Sequence, residues 1–254
     1  MIAPASPTTI ALLAATALLA GFVDSIAGGG GLLTLPALVL AGLDPVSAVA
    51  TNKLQGTFGS GSATLAYARA GRFEKKSVAP MMAASALGSL VGALALSHVR
   101  LGSARDFLPI LLAAVAIYFA FSPALSDLDA RQRLSRSAFT CGIVPLVGCY
   151  DGLFGPGAGS FFMLAFVELM GFAVLRAAAH TRAVNFASNF AALAIFTLAG
   201  HVLWPIGLAM GAAQFVGARL GAATAIRSGA RLVRPLLVAM CLAMAARLGW
   251  SYWT

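Results

Sequence analysis

Two carboxylates and two cations stand in stretches too apolar to solvate them. They are Asp24 and Lys53 in the first half of the chain and Asp151 and Arg182 in the second. A charged side chain in such surroundings costs at least ~2.5 kcal/mol at the centre of a bilayer, so each of the four demands a partner or a task. Glycine breaks the backbone beside each acid: Gly28-Gly29-Gly30-Gly31 follows Asp24, and Gly155-Pro156-Gly157-Ala158-Gly159 follows Asp151. A helix that starts after such a break presents unpaired N–H groups and a partial positive charge, which together hold an anion. Gly29, Gly30 and Gly31, with Gly157, Ala158, Gly159 and Ser160, are therefore candidate amide donors to an anionic ligand. Tight helix packing is the bland alternative, but four adjacent glycines exceed what packing needs.

Lys53 and Arg182 would supply charge to that ligand, and Asn52, Gln55, Thr181 and Asn185 the orienting hydrogen bonds. Asn52 and Gln55 lie three apart, Asn185 and Asn189 four apart, so each pair shares a helical face. Interhelical hydrogen bonding competes as an explanation, most of all for Asn189. Asp24 and Asp151 suit three tasks: neutralising Lys53 and Arg182, carrying a coupling proton or binding a cation such as sodium, or capping the glycine turns. Histidine is the side chain whose unperturbed titration falls near neutral pH, so His180 joins them as a candidate coupling or charge-neutralising residue, with a hydrogen-bonded structural role as its rival.

The elements that must position these groups lie in a membrane. Of 254 residues, 60% are hydrophobic and 10% charged, against about 25% charged in a soluble domain; the mean hydropathy is +0.90. The apolar runs are long and continuous, unlike the alternating segments of roughly ten residues in an outer-membrane barrel. An all-α integral membrane protein follows. The net charge of +9 sits in short links between apolar runs, as cytoplasmic loops require, and not in the basic stripe of a nucleic-acid-binding face. No Lys or Arg precedes Lys53, so the first apolar run is a retained helix and not a signal peptide.

Turn and charge signals divide the chain. Helical segments are expected over 8–27, 32–42 (half a bilayer long), 45–70 opened by Asp44 and Pro45, 77–97 and 106–121. A polar link over 126–136 separates a first membrane repeat, 1–125, from a second, 137–254. Gly21-Phe22-Val23-Asp24 corresponds to Gly148-Cys149-Tyr150-Asp151, and Thr51-Asn52-Lys53 to His180-Thr181-Arg182, with a period of roughly 127 residues that marks a duplicated domain. Corresponding links carry opposite charge bias: 69–76 holds four basic residues and 200–205 none. The halves are accordingly expected to be inverted, with about 8–10 membrane segments in all and broken or half-length helices at the glycine turns. Four spans per half in parallel orientation is the rival arrangement.

Enzyme chemistry is not expected. No Gly-x-Ser-x-Gly elbow surrounds Ser60 and no His-Glu-x-x-His motif is present. Cys141, Cys149 and Cys241 stand singly, without metal-ligand or disulfide spacing, and are expected as buried packing residues. No βαβ context surrounds the glycines, and no cofactor is implied.

With these residues in view, the chain resembles the sulfite exporter TauE/SafE family of bacterial membrane transporters. The likeness rests on Gly21-Phe22-Val23-Asp24, Gly28–Gly31, Ala50-Thr51-Asn52-Lys53, and the degenerate second copy at Gly155-Pro156-Gly157 and His180-Thr181-Arg182. It covers nearly the whole chain. The resemblance implies a multi-pass protein of the bacterial inner membrane that moves small sulfur-containing anions: sulfite, sulfonates such as sulfoacetate, or related organic acids. The family is commonly drawn with eight spans, at odds with an odd number per half. A secondary transporter working by alternating access is expected, with a passive anion channel as the alternative. A coupling proton or sodium ion remains open as a partner, and oligomeric state is not legible.

Overall fold

A computed structural model describes residues 6–73, 75–98 and 131–229. Eight helices, and no strand, occur among the described residues. The first, α1 (Pro7–Ala27), is capped by Ser6, which accepts from the Thr9 amide, and stops at Gly28, whose φ of 89° no L-residue adopts readily. The half-length α2 (Gly31–Leu40) follows, then α3 (Pro45–Arg69). Asp44 caps α3 by accepting from the Ser47 amide at 3.0 Å, as its place before Pro45 predicts. After α4 (Lys75–His98) the description resumes with α5, which starts at Arg136–Ala138, passes through a π turn over Phe139–Ile143 and continues over Val144–Leu153. Pro145 lacks the N–H an α-turn needs, and the turn ahead of it widens until the Val144 amide reaches Phe139 O. A second half-length helix, α6 (Ala158–Glu168), precedes α7 (Val174–Leu198) and α8 (Trp204–Ser228).

α1, α8 and residues 76–98 of α4 are each long and apolar enough to cross a membrane. α3 and α7 have 25 residues each, which at 1.5 Å per residue also exceeds a hydrocarbon core of about 30 Å. α2 and α6, with 10 and 11 residues, span about half of it. The boundaries expected from sequence shift by only one or two residues. The expected segment 106–121 and the last part of the second repeat lie outside the described residues. Cys141 departs from expectation: it is exposed on α5, and Cys149 is only partly buried, while Cys241 lies outside the described residues.

Lipid tails are as apolar as leucine, so close backbone approach, and not hydrophobic exclusion, holds such helices together. Gly217 and Gly221 of α8 lie against Leu18 O and Phe22 O of α1; a Cβ there would stand 2.0 and 2.2 Å from those oxygens. Gly88 and Gly92 of α4 lie in the same way against Pro145 O and Cys149 O of α5, at 2.0 Å each. Exposed Leu12, Leu19, Leu87, Val91 and Phe190 face outward.

Two apolar clusters flank a polar centre. One gathers Ile26, Tyr67, Met81, Phe139, Phe162 and Phe166; the other gathers Leu13, Leu35, Val49, Leu96, Phe154, Phe196 and Met210. Their membership fixes chain direction. α1, α3 and α8 run from the second cluster to the first, whereas α4, α5 and α7 run from the first to the second. α2 packs into the second cluster and α6 into the first.

Replacing Gly92 or Gly217 by leucine should remove most folded protein, each overpacked contact costing about 3 kcal/mol. Gly142→Ala, where a Cβ meets nothing within 4 Å, should leave the melting temperature of the purified protein unchanged. Thermal unfolding of the three variants in detergent checks this.

Candidate functional site

α1 and α5 each end on an acid one turn before a glycine break, and α3 and α7 each carry a cation near mid-helix. The bundle crosses these pairs. Lys53 Nζ lies 2.7 Å from Asp151 Oδ1 and also donates to Asp151 O. Arg182 Nη1 lies 2.6 Å from Asp24 Oδ2. Each half thus supplies the acid for the other half's cation. Lys53 and Arg182 are 0% and 1% exposed, so their charges are compensated inside the protein and not by snorkelling.

The two carboxylates are held differently. Asp151 Oδ2 accepts from Asn185 Nδ2 at 2.9 Å and from the Ser188 hydroxyl, in addition to the lysine on Oδ1. Asp24 accepts from Arg182 on Oδ2 and from the Gly30 amide at 2.8 Å on Oδ1. Its side chain is 12% exposed, that of Asp151 2%.

The glycine breaks meet at the centre of the bundle. Gly28 and Gly29, with φ of 89° and 87°, turn the chain from α1 into α2, and Gly155 and Gly157, with φ of 90° and 78°, turn it from α5 into α6. A Cβ on Gly28 would stand 2.7 Å from Ser160 N, and one on Gly159 2.6 Å from Arg182 Nη2. The Ser160 hydroxyl approaches Ala27 O at 3.5 Å. Between the turns lies a polar cavity of about 30 Å³, lined by Asp24, Gly29, Gly30, Gly31, Asn52, Gly56, Asp151, Gly155, Gly157, Gly159, Asn185, Asn189 and Gln214. It has room for one or two waters. Arg182 Nη2 is buried without a hydrogen-bond partner among the described residues, and it lies against cavity-lining Gly159.

The sequence therefore brought together most of what lines the cavity, and some residues stand apart. Lys53 sits behind Asp151 and beneath Gly155. Gln55 donates to Asn52 Oδ1 at 2.6 Å, and Thr34 donates to the same oxygen at 2.6 Å. Ala158, Ser160 and Thr181 are buried nearby without lining the cavity. His180 is remote: it packs among Phe73, Phe166 and Phe172, with Nδ1 2.8 Å from Arg176 O. Gly56, Ser188 and Gln214 escaped notice. Gln214 is the one amide in α8, and its isolation in an apolar span is the signal that pointed to it. Ser188 carries none, since lone serines are common in membrane helices.

Among the described residues no group of three or more His, Cys, Asp or Glu side chains is arranged to hold a metal. Glu168 pairs with exposed Arg133 at 3.2 Å, away from the cavity.

Asp151→Asn should leave Lys53 buried without a counter-charge and destabilise the protein by about 3–5 kcal/mol. The double variant Lys53→Met, Asp151→Asn should regain a large part of that loss. Melting temperatures of the two variants decide it: an additive double loss would remove the ion pair from the stability account.

The sequence pattern of the family described as sulfite exporter TauE/SafE matches residues 13–248. A probable membrane transporter protein of Sinorhizobium sp, ORF9, is 50% identical over 94% of this chain and 92% of its own length. YfcA of Escherichia coli strain K12, also a probable membrane transporter protein, is 43% identical over 96% of this chain and 90% of its own. A relative in Haemophilus influenzae is 40% identical over 96% of this chain and 97% of its own length. No solved structure matches the chain. The apolar helices, the polar centre and these relatives agree: the chain belongs to the sulfite exporter TauE/SafE family and is a multi-pass membrane transporter.

Proposed function

We propose that this transporter carries a small sulfur-containing oxyanion, such as sulfite or a sulfonate, by alternating access between two inverted repeats. The observation that carries the reading is the cavity between the two glycine turns, with the N-termini of α2 and α6 and the unpaired Arg182 Nη2 against it. Helix N-termini and guanidinium groups suit the planar or tetrahedral oxygens of an oxyanion. Gly31, at the start of α2, borders the same space as the Asn52 and Asn185 side chains, which supports the amide and the two side chains as donors to the anion.

The opposite running directions of α1 and α5, and of α3 and α7, support inversion of the repeats. So does the reciprocity of the ion pairs. In inverted-repeat transporters the ligand sits near mid-membrane at broken helices, and one bundle rocks against the other. The cavity's small volume supports a carrier over the channel alternative. A sulfonate fits only if the turns part, whereas a passive pore needs a standing water path. No step needs a cofactor. The repeats are proposed to span 1–125 and 137–254, joined by a cytoplasmic link, in the bacterial inner membrane.

Gly31→Val tests the seat of the anion. A Cβ on Gly31 meets nothing closer than 3.4 Å, so the variant should fold, and its methyl groups should fill part of the cavity. Methanesulfonate and sulfite should raise the melting temperature of the unaltered protein. Gly31→Val should weaken that binding by about tenfold, or ~1.4 kcal/mol. Equal stabilisation of both proteins would move the anion elsewhere, and no stabilisation by any sulfonate, sulfite or carboxylate would overturn the substrate class.

A further inference from the structure

We propose that Asp24 carries the coupling proton, and that protonating it releases Arg182 to hold the anion, so that one proton and one anion are bound together. This rests on the anion-carrier reading above.

The two ion pairs are related by the repeat but not equivalent. Asp151 is fixed by three side-chain donors, Lys53, Asn185 and Ser188, which occupy both of its oxygens. A proton arriving on Oδ1 would have to displace the charged amine, and one arriving on Oδ2 would have to disturb two hydrogen bonds. Asp24 is fixed by one side chain and one backbone amide, and these divide its oxygens cleanly: Gly30 N on Oδ1 and Arg182 Nη1 on Oδ2. A proton added to Oδ2 breaks only the bond to Arg182, and the neutral acid keeps Gly30 N–H on Oδ1. Both carboxylates line the cavity, and Asp24 is the more exposed of the two.

Arg182 makes the exchange worthwhile. Nη1 is spent on Asp24, while Nη2 has no partner among the described residues and lies against Gly159. Once Asp24 is neutral, the guanidinium is left charged, desolvated and unpaired, a state that costs several kcal/mol unless an anion enters. An oxyanion bound across Nη1 and Nη2 restores the pairing in bidentate form. The charge balance closes: a proton from water joins the carboxylate, the anion takes the carboxylate's place on Arg182, and the net charge of the centre is unchanged for a monoanion. Transport then runs in whichever direction the summed proton and anion gradients point.

Among the described residues, Asp151 is the other ionisable group lining the cavity. α7 presents Arg182 to Asp24; α3 brings Lys53, already paired with Asp151 of α5, and Tyr67, whose hydroxyl donates to Ser25 O at 3.0 Å. α8 brings only Gln214 to the cavity, while α2 and α6 line it with glycine. Arg219 and Arg227 of α8 line an outer groove with Arg69, and His180 of α7 is enclosed by phenylalanines.

Methanesulfonate, whose own charge does not change across the working pH range, is titrated calorimetrically into the purified protein in two buffers of different ionisation enthalpy. The difference counts protons taken up with the anion. About one proton is expected, with affinity falling by up to about tenfold per pH unit as pH rises past the point where free Asp24 ionises. Asp24→Asn is expected to bind with an affinity independent of pH and with no proton uptake. Binding by the unaltered protein without proton uptake overturns the proton role and leaves the anion site standing. A pH dependence that survives in Asp24→Asn overturns the assignment to Asp24. Failure of the unaltered protein to bind any sulfonate or sulfite instead removes the carrier reading on which the inference rests. The proton count on the unaltered protein decides the coupling even if Asp24→Asn does not fold, and Asp24→Ser, which also lacks a carboxyl, then decides the assignment by the same two readouts.

Discussion

Four charges are buried at the centre of a lipid-embedded bundle, and none of them can leave water alone. An unpaired ion in such a place costs several kcal/mol, a large fraction of any protein's total stability. The fold meets this constraint by crossing the pairs: Lys53 with Asp151 and Arg182 with Asp24. Neither half is electrostatically complete without the other. The positions of α1, α3, α5 and α7 follow from that need, since each must deliver its charge to the same small volume.

Bringing four helices to one point requires backbones that come close and chains that turn back within the membrane. Glycine serves both needs, by different physics. Along α4 and α8 it removes the Cβ that would strike a carbonyl of the neighbouring helix at about 2 Å. At Gly28, Gly29, Gly155 and Gly157 it supplies positive φ, which lets the chain turn from α1 into α2 and from α5 into α6 at the polar centre. Irregular backbone at that depth persists only where protein or enclosed water satisfies it. The cavity and the Asp24–Gly30 hydrogen bond supply that satisfaction.

Much of this was legible in the residues. Acids and cations in apolar runs, consecutive glycines and a cap such as Asp44 all break local rules, and rule-breaking is visible in one dimension. The half-length of α2 and most cavity-lining residues could be placed that way. What sequence left open was partnership. Three tasks stood equal for Asp24 and Asp151 because no spacing within one helix says which helix lies opposite. His180 shows the converse failure. Its neighbour in sequence, Arg182, points to the centre, but two residues around a helix is about 200° of rotation, and that turns the histidine into the phenylalanine cluster. Ser188 gave no signal because lone serines are common in membrane helices, whereas Gln214, the one amide in α8, gave one that went unread.

Departures from symmetry carry as much meaning as the symmetry. The second turn has proline and alanine where the first has glycine, and Asn185 and Ser188 fix Asp151, whereas only one side chain, Arg182, and the Gly30 amide hold Asp24. A carrier built from two equal copies would offer a ligand two equal seats and no order of events. Here one carboxylate is held by three side-chain donors, Lys53 of α3 and Asn185 and Ser188 of α7. The other is paired through Arg182 Nη1, while Nη2 of the same guanidinium has no partner among the described residues and lies against Gly159 at the cavity. The proposed cycle rests on that difference, one pair as fastener and one as exchangeable contact.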